Sequence, residues 1–230
     1  MKVCAIIVAA FNAQKYILQC LKSIDSQRSL SGWRYELRVG VDGCQSTSAV
    51  LQRAGRRFHY STDNRGSYIM ANSLMALGPA DMYSRFDADD YMLPEYLPTV
   101  IQVAMDYGIC HAGHIVRPNR FSKPRVGQVT FTSATLDMLG GFRPERCHSD
   151  RDFARRAALA GLDIQAMRSD ERIQKGLFLK NVATNSLTRC PRFGYRSEYR
   201  KKAREDMAKA RMAGQIKIIP EKMELKCQPS

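Results

Sequence analysis

The sequence predicts an α/β fold in which helices flank a mostly parallel central sheet, and two observations predict it. Strand-like segments alternate with helical patterns along the first hundred residues, and polar or acidic residues directly follow three of these segments. Strands that alternate with helices pair in parallel through right-handed crossovers. Ligands of such sheets collect at the carboxyl ends of the strands, so the polar residues there are the first candidates for a site.

The individual elements follow from residue patterns. Residues 3–9 form a continuous apolar run, which is typical of a strand buried on both faces of a parallel sheet. Residues 13–27 then carry apolar side chains at helical spacing. Further strands are predicted at 37–41, 57–61 and 82–86, and further helices at 67–77 and from Pro94 onward.

The second half of the chain is less regular. Residues 109–116 and 126–132 are predicted as strands of a mixed extension to the sheet, and residues 150–160 as a helix that ends at Gly161. Residues 195–212 combine apolar and aromatic residues at helical spacing with many basic ones. This pattern predicts a basic helix near the C-terminus, which would suit nucleic acid, a membrane surface or plain solvent equally well.

The positive charge is concentrated in the second half. The net charge of the chain is +14, and residues 101–230 alone hold 25 Lys and Arg against 13 Asp and Glu, a net charge of +12. This asymmetry indicates an anionic partner such as nucleic acid, an acidic glycan or a phospholipid surface. The alternative is a basic surface that serves only solubility.

Cysteine spacing and hydropathy bear on the compartment. The seven cysteines are widely spaced and include no C-x-x-C pair, which is not typical of a zinc site or of a disulfide framework. No apolar run is long enough to span a membrane. These features predict a cytoplasmic protein without a transmembrane segment.

The sharpest local motif is Phe86-Asp87-Ala88-Asp89-Asp90 at the end of a predicted strand. Carboxylates two residues apart can converge on Mg²⁺ or Mn²⁺, which would also hold a diphosphate and act as a Lewis acid. An acidic turn that caps the helix near Pro94 is the alternative interpretation.

The order of motifs resembles the family 2 glycosyltransferases of the GT-A fold over residues 3 to 165. The segments that carry the resemblance are Val-Ala-Ala-Phe-Asn at 8–12, Val-Asp-Gly at 41–43, Asn64-x-Gly66 with Asn72, the acidic motif at 86–90, Gly140-Gly141-Phe142, and Ser-Asp-Arg-Asp-Phe at 149–153. Ser149 stands where the family carries the Glu of a Glu-Asp pair.

The resemblance implies roles for ten residues. Those implied to bind the nucleotide are Ala9, Ala10, Phe11, Asn12, Asp42 (for the base), Asn72, Asp87 and Ala88. Asp87 and Asp89 would form the D-x-D pair that holds Mn²⁺ or Mg²⁺. Asp150 would be the catalytic base; Asp152 stays open as a substitute, and a helix-capping role stays open for Asp150.

The resulting prediction is an inverting, metal-dependent glycosyltransferase that uses a nucleotide-sugar donor, expected to be a UDP-sugar. Residues 1–100 would form the donor half of one GT-A domain, residues 101–190 the acceptor half, and residues 191–230 a basic helical extension. The acceptor would be a glycan or another anionic molecule, with peripheral membrane contact left open.

Three alternatives stay open beside this prediction. The enzyme could glycosylate a hydroxylated base in DNA, which the basic second half would suit. It could be a nucleotidyltransferase, although the first strand lacks a Gly-rich basic loop. A non-catalytic nucleic-acid-binding protein would explain the charge but not the acidic motif. The sequence predicts no oligomeric state.

Overall fold

The structure is a computed structural model that describes residues 1–116, 120–122, 127–181 and 197–229. In these ranges the strands are β1 (Lys2–Ala10), β2 (Trp33–Asp42), β3 (Phe58–Ser61), β4 (Met82–Asp87), β5 (Tyr91–Met92), β6 (Ile109–Cys110), β7 (His114–Val116), β8 (Arg120–Ser122), β9 (Val129–Thr132), β10 (Phe178–Lys180) and β11 (Lys226–Gln228). The helices are α1 (Ile17–Asp25), α2 (Gln45–Arg53), α3 (Ser67–Met75), α4 (Tyr96–Tyr107), α5 (Ser133–Leu139), α6 (Ser149–Leu159), α7 (Ile164–Ser169) and α8 (Glu198–Met212).

The main sheet has the strand order β11-β3-β2-β1-β4-β9-β6. Its four central strands, β3, β2, β1 and β4, are parallel, as the alternation of strands and helices predicts. The outer strands β9, β6 and β11 pair antiparallel. The predicted mixed extension is therefore confirmed for β6 and β9, whereas β7 and β8 belong to a second sheet.

The apolar patterns of the first half place the core around β1. Residues 4–8 are buried, because neighbouring strands flank β1 on both sides and helices cover the sheet. Helix α3 is buried along almost its whole length and contacts both β1 and β2. This core fixes the carboxyl ends of β1, β2 and β4 at one edge of the sheet.

The second sheet has the order β5-β10-β7-β8, and its strand β5 directly follows the acidic motif in the chain. Strand β10 pairs antiparallel with β5, so that Leu179 lies opposite Tyr91. This register brings Lys180, the last residue of β10, to the acidic residues that precede β5. Sequence patterns do not predict this approach, because residues 93–177 separate the two strands.

The C-terminal residues return to the main sheet after α8. The amide of Ile218 donates to the Leu139 carbonyl at 3.1 Å, and β11 then adds to the edge of the sheet beside β3. Gly140 ends α5 with φ of 80°, and a Cβ at this position would lie 1.8 Å from the Ile218 carbonyl oxygen. Glycine is therefore required at 140 both by its backbone angle and by the approach of the C-terminal segment.

Candidate functional site

The predicted nucleotide-binding residues of β1 lie at the carboxyl edge of the sheet. In the strand register Ala9 is paired with Gly40 on one side and with Asp87 on the other. Ala10 is buried, whereas the following Phe11 is 48% exposed. The edge therefore presents the exposed Phe11 ring next to two alanines that end the strand. Their small side chains leave room for the flat ring of a ligand to approach the backbone.

Asn12 turns the chain away from β1 in a left-handed conformation with φ of 52°. Its backbone amide donates to the Cys44 sulfur at 3.3 Å, and the Cys44 thiol donates to the Asn12 side-chain oxygen at 3.4 Å. The next amide, that of Ala13, donates to the Thr47 hydroxyl at 3.0 Å. These contacts join the turn after β1 to the start of α2, so that the turn is held in one shape.

Asp42 ends β2 and is 2% exposed. Its two carboxylate oxygens accept hydrogen bonds from the amides of Arg65 at 2.9 Å and Gly66 at 2.7 Å. Burial raises the pKa of Asp42, while these two amides and the charge of Arg146 act against the rise. Asp42 thus anchors the loop before α3, and its role in binding the base stays a prediction.

Asn72 connects α3 to the backbone of two later segments, at Phe142 and Glu221. The residue is 1% exposed. Its amide nitrogen donates to the carbonyls of Phe142 (2.8 Å) and Glu221 (3.2 Å), and its oxygen accepts from the Phe142 amide at 3.0 Å. Both ends of the side chain are therefore used inside the fold, and the nucleotide contact implied for Asn72 stays a prediction.

The acidic motif at the end of β4 is built around Gln128. The Gln128 amide nitrogen donates to Asp87 at 3.1 Å and to Asp90 at 2.5 Å, while its oxygen accepts from the Asp87 amide at 3.0 Å. Asp90 is buried, and the Lys180 ammonium lies 3.6 Å from its carboxylate. Asp90 is therefore an internal support of the motif, with Ala88 buried beside it.

Asp87 and Asp89 are more open than Asp90, and they differ from each other electrostatically. Although burial acts to raise the pKa of Asp87, the charge of Arg85, 2.8 Å away, and that of Lys180 lower it. Burial and the nearby Asp87 carboxylate raise the pKa of Asp89 to about 6. Within the described ranges no side chain donates a hydrogen bond to Asp89, although the charges of Lys180 and Arg85 act against the rise of its pKa.

This electrostatic arrangement suits a divalent cation. Within the described ranges no three His, Cys, Asp or Glu side chains converge into a complete metal site. Mg²⁺ characteristically binds through one or two carboxylates and completes its coordination with phosphate oxygens and water. Asp89, with Asp87 beside it, fits that incomplete kind of site.

Arg85 and Tyr68 connect the acidic motif to Asp150. The Arg85 guanidinium pairs with Asp87 and lies 4.9 Å from the centre of the Tyr68 ring, over its face. Burial and then the charge of Asp150 raise the pKa of the Tyr68 hydroxyl, and Asp150 also helps to raise the pKa of Arg85 against the effect of burial. Asp150 therefore lies within electrostatic reach of the motif although 60 residues separate them in the chain.

Asp150 and Asp152 both belong to the first turn of α6. The residue at the cap position is His148, so the capping role considered for Asp150 is wrong. Asp150 is half-buried, whereas Asp152 is 1% exposed and pairs with three arginines: Arg156 at 2.7 Å, Arg143 at 3.1 Å, and Arg211. Asp152 is committed to the fold, which leaves Asp150 as the candidate base.

Four side chains at the site escaped the sequence reasoning: Arg85, Tyr68, Gln128 and Lys180. Arg85 had a usable signal, because residues two apart on a strand share a face and Asp87 follows it by two. The other three come from elements that only the tertiary fold brings to the motif.

Comparison with known proteins agrees with this geometry. Residues 5–158 match the family model described as glycosyl transferase family 2. No curated protein matches the sequence. In the described ranges, no helix is long and apolar enough to cross a membrane.

Solved structures share the fold. Residues 1–349 of S. aureus TarS in complex with UDP match with a TM-score of 0.61 and 17% identity over 80% of this chain, which spans 61% of that chain. The complex of the same protein with UDP-GlcNAc has a TM-score of 0.63 at 16% identity, covering 81% of this chain and 60% of that one. The mannosyltransferase PcManGT from Pyrobaculum calidifontis, in complex with GDP-Man and Mn²⁺, has a TM-score of 0.66 at 16% identity, covering 88% and 64%.

The present chain thus spans about three fifths of the length of these structural neighbours. The likeness shows a GT-A architecture, and the family match extends over residues 5–158, which include the acidic motif, Tyr68, Arg85 and Asp150. The chain belongs to glycosyl transferase family 2.

Proposed function

We propose that this protein transfers a sugar from a nucleoside-diphosphate donor to an acceptor hydroxyl with inversion at the anomeric carbon. The observation that carries the proposal is the approach of Asp150 to the acidic motif through Tyr68 and Arg85. The proposed site thus combines Asp150, which can accept a proton, with the acidic motif, which can bind a diphosphate through a metal ion.

The donor would lie at the carboxyl edge of the sheet, over residues 9–12 and against Asp87. A UDP-sugar is the donor we favour, because two of the structural neighbours are complexes with UDP and UDP-GlcNAc. The complex of PcManGT with GDP-Man and Mn²⁺ makes a GDP-sugar the competing donor.

In the proposed reaction the Asp150 carboxylate takes the proton of the acceptor hydroxyl as its oxygen attacks the anomeric carbon. The bond between that carbon and the diphosphate oxygen breaks, and the electron pair leaves with the nucleoside diphosphate. Mn²⁺ or Mg²⁺, held by Asp89 with Asp87, would stabilise the negative charge that develops on this leaving group. Lys180 lies close enough to the same carboxylates to add positive charge there.

Tyr68 and Arg85 would hold Asp150 and the acidic motif in a fixed orientation relative to each other. The Arg85 guanidinium donates to the Gly127 carbonyl at 2.8 Å as well as to Asp87, so its plane is fixed. The Tyr68 ring is held between this guanidinium and the ring of Phe142, whose centroid is 5.5 Å away.

Slow hydrolysis of the donor tests the proposal without knowledge of the acceptor, since water can take the place of the hydroxyl. We expect wild-type protein with Mn²⁺ to release nucleoside diphosphate from one nucleotide-sugar. The variant Asp150→Asn should bind the same donor but release about a hundredfold less, because a general base contributes roughly 10²- to 10⁴-fold.

The matched control is Asp137→Asn, since Asp137 is an exposed acid on α5 away from the site. It should hydrolyse the donor at the wild-type rate. Equal hydrolysis by Asp150→Asn and wild type would remove Asp150 from the mechanism. Transfer of a nucleotide instead of a sugar would replace the proposed activity with that of a nucleotidyltransferase.

A further inference from the structure

A basic cleft of about 290 Å³ lies between the start of α6 and the first turns of α8. We define the basic cleft by the side chains His148 and Arg151 from α6 and Arg200, Lys201 and Arg204 from α8. Glu198 is the one acidic residue among the described residues that line it. The cleft is therefore a concave surface with an excess of positive charge.

Three of the cleft's cations have no acidic partner among the described residues. Arg151, Lys201 and Arg204 are exposed, and none of the three forms an ion pair with an acid in the described ranges. Arg211, about two turns of α8 beyond Arg204, is by contrast paired with the buried Asp152. The same helix thus carries one arginine that is paired inside the fold, and at Lys201 and Arg204 two charges that a ligand can use.

The lowered pKa of His148 reflects the burial of its ring and the positive charge around it. Its pKa falls to about 4 because of burial and then the nearby charges of Arg200 and Arg151, with only Asp150 acting in the opposite direction among its main neighbours. A neutral imidazole among guanidinium groups is what a region poor in negative charge produces. An anion bound there would offset the repulsion between the cations.

The walls of the cleft are held in place before any ligand arrives. Ala203 and Met207 of α8 pack on Cys147, which precedes α6. The ion pair between Arg211 and Asp152 joins the same two helices farther along. A rigid cleft loses little conformational entropy when a ligand binds.

Asp150 does not line the cleft, but it lies between two residues that do, His148 and Arg151. The charge of Asp150 acts on the His148 imidazole, so a group held in the cleft would lie within electrostatic reach of the proposed base. Guanidinium groups match the geometry of phosphate oxygens through paired hydrogen bonds. A phosphate ester can carry up to two negative charges on three oxygens. It can therefore pair with several converging cations at once, whereas a carboxylate carries one negative charge on two oxygens.

We propose that the basic cleft is the acceptor subsite and binds a phosphate ester group of the acceptor molecule beside the hydroxyl that is glycosylated. The assignment to an acceptor rests on the proposed function. Binding of the phosphate ester itself does not depend on it, and the two can fail separately.

The test measures binding to the complete chain by titration calorimetry, without donor. The probes are glycerol 3-phosphate as a monoester, a short single-stranded oligodeoxynucleotide as a phosphodiester chain, glucuronate as a carboxylate, and phosphatidylglycerol vesicles as a lipid surface. The variant Arg151→Gln/Arg204→Gln removes two cleft charges. The control Arg53→Gln/Arg57→Gln removes two exposed arginines at the end of α2 and just before β3.

We expect glycerol 3-phosphate or the oligonucleotide to bind the wild type and the control equally, and the cleft variant at least about tenfold more weakly. Binding of the monoester alone would assign a terminal phosphate, and binding of the oligonucleotide a phosphodiester. For the oligonucleotide, the slope of log affinity against log salt should fall by about 1 to 2 in the cleft variant.

Four results would overturn the proposal. They are no binding of either phosphate probe, equal loss in the cleft variant and the control, glucuronate binding as tight as that of glycerol 3-phosphate, and binding to vesicles only. The single variant Lys201→Gln repeats the comparison if the double variant unfolds. A UDP-induced thermal shift retained by the cleft variant separates this subsite from the donor site, and absence of that shift in wild type would count against the proposed function alone.

Discussion

Asp150 and Asp152 both lie in the first turn of α6, but their removal is expected to have different effects. Removal of the Asp152 carboxylate should lower the stability of the fold, whereas removal of the Asp150 carboxylate should lower activity. Asp152 is 1% exposed and accepts from Arg156 (2.7 Å), Arg143 (3.1 Å) and Arg211. The variant Asp152→Ala leaves the fully buried Arg156 without its carboxylate. Removing one partner of a buried ion pair costs about 3 to 5 kcal/mol, which lowers the melting temperature of a chain of this size by about 6 to 20 °C.

Asp150→Ala should cost about 1 to 2 kcal/mol, less than Asp152→Ala, since it removes a half-buried acid whose partner is the neutral Tyr68 hydroxyl and not a buried arginine. Thermal unfolding followed by circular dichroism, combined with donor hydrolysis, separates the two residues. The reasoning predicts an unstable Asp152 variant, and a stable but inactive Asp150 variant. A stable, inactive Asp152→Ala protein beside an active Asp150→Ala protein would refute it and make Asp152 the base.

Two further predictions test the environment of the site. Asn72→Ala should destabilise the fold by about 1 to 3 kcal/mol, because the backbone groups of Phe142 and Glu221 lose their partner. Urea unfolding measures this, and a donor affinity weakened tenfold with unchanged stability would instead support the implied nucleotide contact. Tyr68→Phe keeps the ring beneath Arg85 but removes the hydroxyl near Asp150. Donor hydrolysis should fall about tenfold to a hundredfold with donor affinity kept within twofold, whereas an unchanged kcat would show that Tyr68 does not position the base.

The central sheet could be predicted because its strands carry their own signal. Residues 3–9 form a continuous apolar run, which is typical of a strand covered on both faces, and they lie in β1. Residues 82–86 were predicted as the strand that leads into the acidic motif, and they lie in β4. Helix α2 was missed, because it buries only Thr47 and Leu51 and is otherwise polar. Strand β11 was missed for a related reason, since its three residues lie largely exposed at the sheet edge.

The site was predictable where residues are close in sequence and not where the fold brings them together. The acidic motif could be recognised from the spacing of Asp87 and Asp89, and its proximity to Asp150 came only through the family resemblance. Asn72 shows the limit of that resemblance: its position was recognised, but its hydrogen bonds depend on the C-terminal segment at Glu221. Gln128 and Lys180 could not be recognised from the sequence, because they reach Asp87 and Asp90 only in the folded chain.

The most direct test of the central claim measures donor binding by thermal unfolding, with UDP- and GDP-sugars in the presence and absence of Mn²⁺. A ligand at one hundred times its dissociation constant adds about 2.7 kcal/mol, which corresponds to about 5 to 11 °C here. We predict that one nucleotide-sugar produces such a shift only with metal, in wild type and in the exposed-acid control Asp137→Ala, but not in Asp89→Ala. If no nucleotide-sugar shifts the wild type, or if Asp89→Ala keeps the full metal-dependent shift, the proposed donor site is wrong.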